Sequence, residues 1–251
     1  MDERFVFDDP SYLALAEQRA GEYRTASPFP HAVIEDFLPR AVAERALQAF
    51  PRARDADWFS FDSGRERKLA LAREAQFPPA IRHLLHQFNS APCLAFLEAL
   101  TGVPPLVPDP DFEGGGLHQI QPGGWLKIHA DFNKHSRSGL DRCLNLLVYL
   151  NPSWRVIFST TDFAYHGYPD SLQSPPGVTR KSLALYYYSN GRPAEETSAP
   201  HTTVFKLRPG ERLDSPSRLS ARAVVRAVTP PVVLSAARVL HRQLGRGGRA
   251  D

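Results

Sequence analysis

The chain has 251 residues, 42% of them hydrophobic and 23% charged, which is enough to bury one sizeable core and excludes a disordered or low-complexity polymer. No apolar run approaches a membrane span, and the start MDERFVFDDP lacks the basic-then-apolar order of a secretion signal, so the expected location is cytoplasmic. The net charge of +3 is uneven: residues 206–251 hold ten Lys and Arg against three acids, so the basic character belongs to the tail and says nothing about the substrate of an acidic core. Cys93 and Cys143 are too few for a disulfide framework and lack zinc-site spacing, which leaves them as core thiols.

Along the first hundred residues, apolar positions recur at three and four spacing in Leu38 to Phe50 and in Ile81 to Leu100, which predicts helices. Ser90 is placed to cap a helix with Pro92 near its start, and Gly102 stands where that helix would stop. Asp55 to Ala75 is charged and aromatic without clear period and reads as loop or irregular strand. The Pro- and Gly-rich stretch from Pro104 to Gly116 divides the chain. After it come short extended runs at Leu117–Gln121, Trp125–Ala130, Cys143–Leu150, Val156–Thr160, Phe163–His166 and Ser182–Ser189, punctuated by turn dipeptides. This pattern argues an antiparallel sandwich or barrel. Two basic helical stretches close the chain, near Arg218–Val228 and Pro231–Leu244. Arg218, Arg222 and Arg226 share one face there, which is read as a solvated surface or as a contact for an acidic membrane surface or partner. The stretch lacks interleaved aromatics, so nucleic acid is not an expected partner.

In a strand, residues i and i+2 face the same way, so His129 and Asp131 bring an imidazole and a carboxylate together. This is two thirds of a 2-His-1-carboxylate triad, whose remaining coordination positions suit a non-haem iron holding a co-substrate and dioxygen. His166 is the best placed third ligand. Alone, His-x-Asp is a weak signal that hydrogen-bonded polar residues would also produce. His118, His135 and His201 lack a strand-face partner at suitable spacing.

The run from Gly116 through His129-Ala130-Asp131 to Asn133 resembles the first-ligand region of bacterial prolyl-4-hydroxylase-like Fe(II)/2-oxoglutarate dioxygenases. Leu144 to Trp154 is similar to the next strand and turn of that family, Arg155 to Gly167 to its second-ligand region, and Thr179 to Tyr188 to its last barrel strand. The resemblance implies an α+β fold: a double-stranded β-helix, or jelly-roll, over residues 104–205, a helical part over 1–103 packed on it, and a basic extension over 206–251. It implies Fe(II) held by His129, Asp131 and His166, and 2-oxoglutarate anchored by Arg180 and Tyr149, with ascorbate as a further candidate cofactor. Arg180 offers the two-donor fork that a carboxylate needs, and alternation turns its neighbour Lys181 to the opposite face. A surface salt bridge for Arg180 and core packing for Tyr149 are the competing structural readings. Packing is the expected role of the aromatic run Tyr186 to Tyr188, with pocket lining the alternative for Tyr186, which shares a face with Arg180. The implied activity is hydroxylation of an unactivated C–H in a peptidyl substrate, with proline the central case, or in a small molecule.

One departure stands out. Members of that family place two more strands between the Asn-Pro-x-Trp turn and the strand beginning here at Arg155. Their loss predicts a tight Asn151–Trp154 hairpin, an incomplete minor sheet, an unpaired edge on the strand ending at His166, and a looser metal site. A catalytically impaired barrel serving as a binding or scaffold protein is therefore the alternative to an active enzyme.

Overall fold

The computed structural model describes residues 5–103, 105–151, 155–159, 164–192 and 198–211, with the backbone alone for 155–159. The two basic stretches beyond Arg218, and the Pro152–Trp154 part of the turn, lie outside the described residues. No described helix is long and apolar enough to cross a membrane.

Helix α1 (Ser11–Thr25) buries Tyr12, Ala16, Ala20 and Tyr23, a spacing that makes one stripe. It is followed by β1 (His31–Glu35), α2 (Arg40–Ala49), β2 (Phe59–Asp62) and β3 (Glu66–Leu71). Helices α3 (Pro79–Phe88) and α4 (Ala91–Thr101) divide the second apolar stretch at Asn89–Ser90. Gly102 ends α4 in the left-handed region at φ 74°, as its position predicts. Ser90 holds the cap position of α4 but does not cap it, because its hydroxyl donates to the Gln87 carbonyl at 2.6 Å.

The remaining strands are β4 (Val107–Pro108), β5 (Gly116–Ile120), β6 (Trp125–Ala130), β7 (Asp141–Tyr149), β8 (Arg155–Ser159), β9 (His166–Tyr168), β10 (Arg180–Ser189) and β11 (Val204–Phe205). They form one curled antiparallel sheet in the order β1-β8-β7-β10-β5-β3-β6-β11, with β2 on β3, β4 on β10 and β9 on β6. Alternation gives the sheet two chemically distinct faces. Leu144, Leu146 and Val148 of β7, with Leu183, Leu185 and Tyr187 of β10, join Phe88, Phe96, Leu97 and Leu100 of the helices in the core. The Tyr187 hydroxyl donates to the Phe88 carbonyl, tying sheet to helix. The opposite face of the same strands presents Leu147, Tyr149, Arg180, Ser182 and Tyr186 to a cavity.

The first hundred residues are thus not purely helical, since they supply three strands to the sheet. Asp55 to Ala75 folds as the β2–β3 hairpin, with Phe61 opposite Lys68 and Phe59 opposite Ala70. Its alternation is hidden in the sequence because the cavity side of β3 carries Glu66 and Lys68 instead of apolar residues. Strand β1 covers the outer edge of β8 from His31↔Ser159 to Glu35↔Arg155.

The shortened connection closes as a hairpin, with β7 and β8 paired from Asn145↔Ser159 to Tyr149↔Arg155. The strand carrying His166 begins at that residue instead of ending there. It pairs with β6 at His129↔His166 and Leu126↔Tyr168, across an irregularity. Among the described residues β9 has no neighbour on its other side.

Candidate metal and co-substrate site

His129 is the penultimate residue of β6, and Asp131 follows the strand directly. His129 Nε2 lies 3.4 Å from one Asp131 carboxylate oxygen, and His166 Nε2 lies 3.6 Å from the other. The imidazole centroids of His129 and His166 are 4.6 Å apart. One donor atom from each of the three residues falls within 4.8 Å of the other two. The sequence therefore names three residues that the fold brings together.

The surroundings orient these groups as a metal site requires. His129 Nδ1 donates to the Lys127 carbonyl and His166 Nδ1 to the Ala164 carbonyl, both at 2.9 Å. A carbonyl can only accept, so in its neutral form each ring carries the proton on Nδ1 and aims a lone pair from Nε2. Asn145 Nδ2 donates to Asp131 Oδ2 at 2.7 Å, and Arg142 Nη1 approaches the same oxygen at 3.4 Å. Arg142 also donates to the Asn145 side-chain oxygen and the Phe132 carbonyl, and its guanidinium lies near the Phe132 and Tyr186 rings.

Desolvation pushes the Asp131 carboxyl up, but its close imidazole neighbours His129 and His166 and the Arg142 guanidinium outweigh it and hold the group well below the usual carboxylate range. Desolvation, aided by His129 and opposed by Asp131, lowers the His166 imidazole. Asp131 is thus ionised and His166 neutral near pH 7. Two imidazoles and one carboxylate form a donor set that fits a divalent first-row transition metal.

Arg180 and Tyr149 lie on the inner faces of β10 and β7. Arg180 Nη2 donates to the Tyr149 hydroxyl at 2.6 Å, and the guanidinium lies 4.5 Å from that ring's centroid and 5.1 Å from that of Tyr168. Among the described residues no carboxylate pairs with Arg180. Lys181 points to the other face, 5.5 Å from the Phe50 ring centroid. Arg180, Tyr149 and Ser182 line the same cavity of about 260 Å³ as His129, Asp131 and His166. A guanidinium with no acid partner among the described residues, lining the same cavity as a converging His-Asp-His cluster, has the donor geometry to receive a carboxylate.

A second cavity, of about 310 Å³, reaches His129 and Asp131 from the side of β2, β3 and β11. Lys68, His118, Leu126 and Tyr186 line both cavities, so Tyr186 takes the pocket-lining alternative. His118 has no place in the converging cluster, and His201 is held by Asn133 through its backbone.

His135 does meet acids: its Nε2 is 3.6 Å from Asp109 and 3.4 Å from Glu113. The Ser138 backbone N–H donates to His135 Nδ1, so the neutral ring's proton sits on Nε2. The atom facing the carboxylates is therefore a donor and not a ligand. Sequence reasoning missed Asn145 and Arg142. Asn145 was detectable as the one polar residue inside the apolar run Leu144 to Leu150.

No family model matches the chain, and no curated protein matches it. Among solved structures it resembles a prolyl-4-hydroxylase from Pseudomonas putida at a TM-score of 0.50 and 17% identity, over 70% of this chain and 100% of that one. The chain shares the fold of that structure. It also aligns with HygX from Streptomyces hygroscopicus, solved with nickel, 2-oxoglutarate and hygromycin B, at a TM-score of 0.47 and 13% identity over 74% of this chain and 95% of that one. The jelly-roll expectation is met, although the P. putida likeness spans the whole of a chain shorter than this one.

Proposed function

We propose that this protein is an Fe(II)- and 2-oxoglutarate-dependent dioxygenase that hydroxylates an unactivated C–H bond. The observation that carries the proposal is the presence of two groups on one cavity: a converging His129–Asp131–His166 cluster, and an Arg180–Tyr149 pair with no acid partner among the described residues. His129 and His166 would bind iron through Nε2, and Asp131 through Oδ1, the oxygen that Asn145 leaves free. Arg180 and Tyr149 would anchor the distal carboxylate of 2-oxoglutarate. When bound, iron and 2-oxoglutarate supply dioxygen activation, with 2-oxoglutarate leaving as succinate and CO2. The chain's contribution is geometry: two imidazoles oriented through Nδ1, an ionised Asp131, and an apolar lining of Ile120, Leu126 and Leu147.

The alternative, a barrel that binds without turnover, is favoured by the exposure of the His166 side chain, 26% against 4% for His129. Anaerobic titration of the full chain with Fe(II) and 2-oxoglutarate, followed by succinate assay in air with ascorbate as accessory reductant, separates the two. We expect binding of both and succinate formation that Asp131→Ala abolishes. Binding without succinate supports the non-catalytic reading, and binding of neither sinks both.

A further inference from the structure

We infer, resting on the dioxygenase reading, that the cavity between β3 and the metal cluster takes a free α-amino acid with an apolar side chain as prime substrate. Alternation along β3 turns Glu66, Lys68 and Ala70 into this cavity, and Ala72 joins them just beyond the strand. The Lys68 ammonium lies 3.2 Å from the Glu66 carboxylate, with the two side chains only 13% and 17% exposed.

An enclosed ion pair returns little more than the desolvation it costs, so stability does not explain placing it on an inner strand face. The small Ala70 and Ala72 beside it leave room, and Phe59, Phe61 and Phe205 supply an apolar wall. Opposite charges this close match a ligand that carries a carboxylate and an ammonium on one carbon. The ligand carboxylate meets Lys68, its ammonium meets Glu66, and its side chain lies against the aromatic wall toward His129 and Asp131. An internal peptide residue carries neither charge, and would press neutral amides against the pair without satisfying either member.

The test compares ligands before it compares variants. The full-length chain is titrated calorimetrically with L-proline and L-leucine, with their N-acetyl and carboxamide derivatives, with a proline-containing peptide blocked at both ends, and separately with 2-oxoglutarate in the presence of Mn(II). We expect the free amino acids to bind and blocking of either end to weaken them at least about tenfold, the effect of losing one charged hydrogen bond. Lys68→Met should erase the discrimination between acid and carboxamide, and Glu66→Gln that between amine and N-acetyl, changes that a purely structural role would not produce. The inference is overturned if the blocked peptide binds as well as the free amino acids, or if no free amino acid binds at millimolar concentration. Binding of 2-oxoglutarate without amino acids leaves the dioxygenase reading intact and removes only the substrate class. Binding of amino acids without 2-oxoglutarate does the reverse.

Discussion

The two sides of the candidate metal site are built to different standards. On one side, β10 is paired along its length with β7 and over its first half with β5, and packs its outer face on α3 and α4. Asp131 on the neighbouring wall is held by Asn145 and Arg142, both buried. On the other side, His166 opens a three-residue strand that is paired to β6 alone among the described residues. The Ala164 carbonyl orients its ring, and its backbone pairs with that of His129. A site of this kind keeps its charge and its co-substrate anchor on a rigid wall, and draws its third ligand from an edge that can yield. The one-sided pairing of β9 therefore bears on the position of one imidazole more than on the composition of the site.

The largest expected effect sharpens this contrast. Asp131→Ala removes the only carboxylate of the cluster and leaves Arg142 as an uncompensated buried charge. It should weaken Mn(II) or Fe(II) affinity by more than the roughly 100-fold that loss of an outer-sphere partner costs. His166→Ala, on the yielding edge, should cost clearly less. Equal losses in a metal titration of the two variants would show that the edge is as firm as the wall. Next in size is Arg180→Ala, which should weaken 2-oxoglutarate about 10- to 150-fold, since hydrogen bonds to charged groups are worth about 1.5–3 kcal/mol. Metal affinity measured without 2-oxoglutarate should stay unchanged.

Much of this division was legible in the sequence because it follows from alternation. Once β10 is recognised as a strand, Arg180 and Tyr186 must share a face and Lys181 must leave it, as the structure shows. The one-sided edge at His166 follows equally from the direct step from Trp154 to Arg155. What the sequence concealed has a common cause. Strand β3 and its hairpin partner line a cavity, so their inner residues are charged, and a period of apolar residues cannot reveal them. Strand β1 has five residues, too few for a period to declare itself. The pairing of Asn145 with Asp131 spans fourteen positions and depends on register, which no local pattern carries.

Two glycines allow the same substitution on both sides of the site. Gly116, at φ 87° on the rigid wall, faces the Leu71 carbonyl, where an added methyl has no room. Gly116→Ala should cost on the order of 2 kcal/mol or more of folding stability. Gly167 lies on the edge strand, where a methyl would meet the Leu126 and Lys127 carbonyls at 2.8 Å. Here β9 can move away, so Gly167→Ala should leave the urea midpoint nearly unchanged and weaken metal binding by displacing His166. A large drop in midpoint for Gly167→Ala, with metal affinity intact, would reverse the assignment of rigid and yielding sides.

The smallest effect concerns pH and belongs to the rigid wall. Desolvation, with help from the Lys68 charge, lowers the His118 imidazole to about 3 from its ordinary 6.5. The unfolded chain therefore takes up this proton first as pH falls. The stability that the neutral ring contributes is complete above pH 6.5 and declines as pH drops from 6.5 toward 3, with a slope of at most about 1.4 kcal/mol per pH unit from one such group. Urea midpoints of the metal-free chain at pH 7.5, 6 and 5 should fall in that order, and His118→Gln, which keeps a polar side chain but cannot titrate, should flatten the decline. Parallel profiles for the two chains would place the acid sensitivity elsewhere, with the lowered imidazole of His166 as the next group to remove. The rigid wall would then carry no pH dependence of its own through His118.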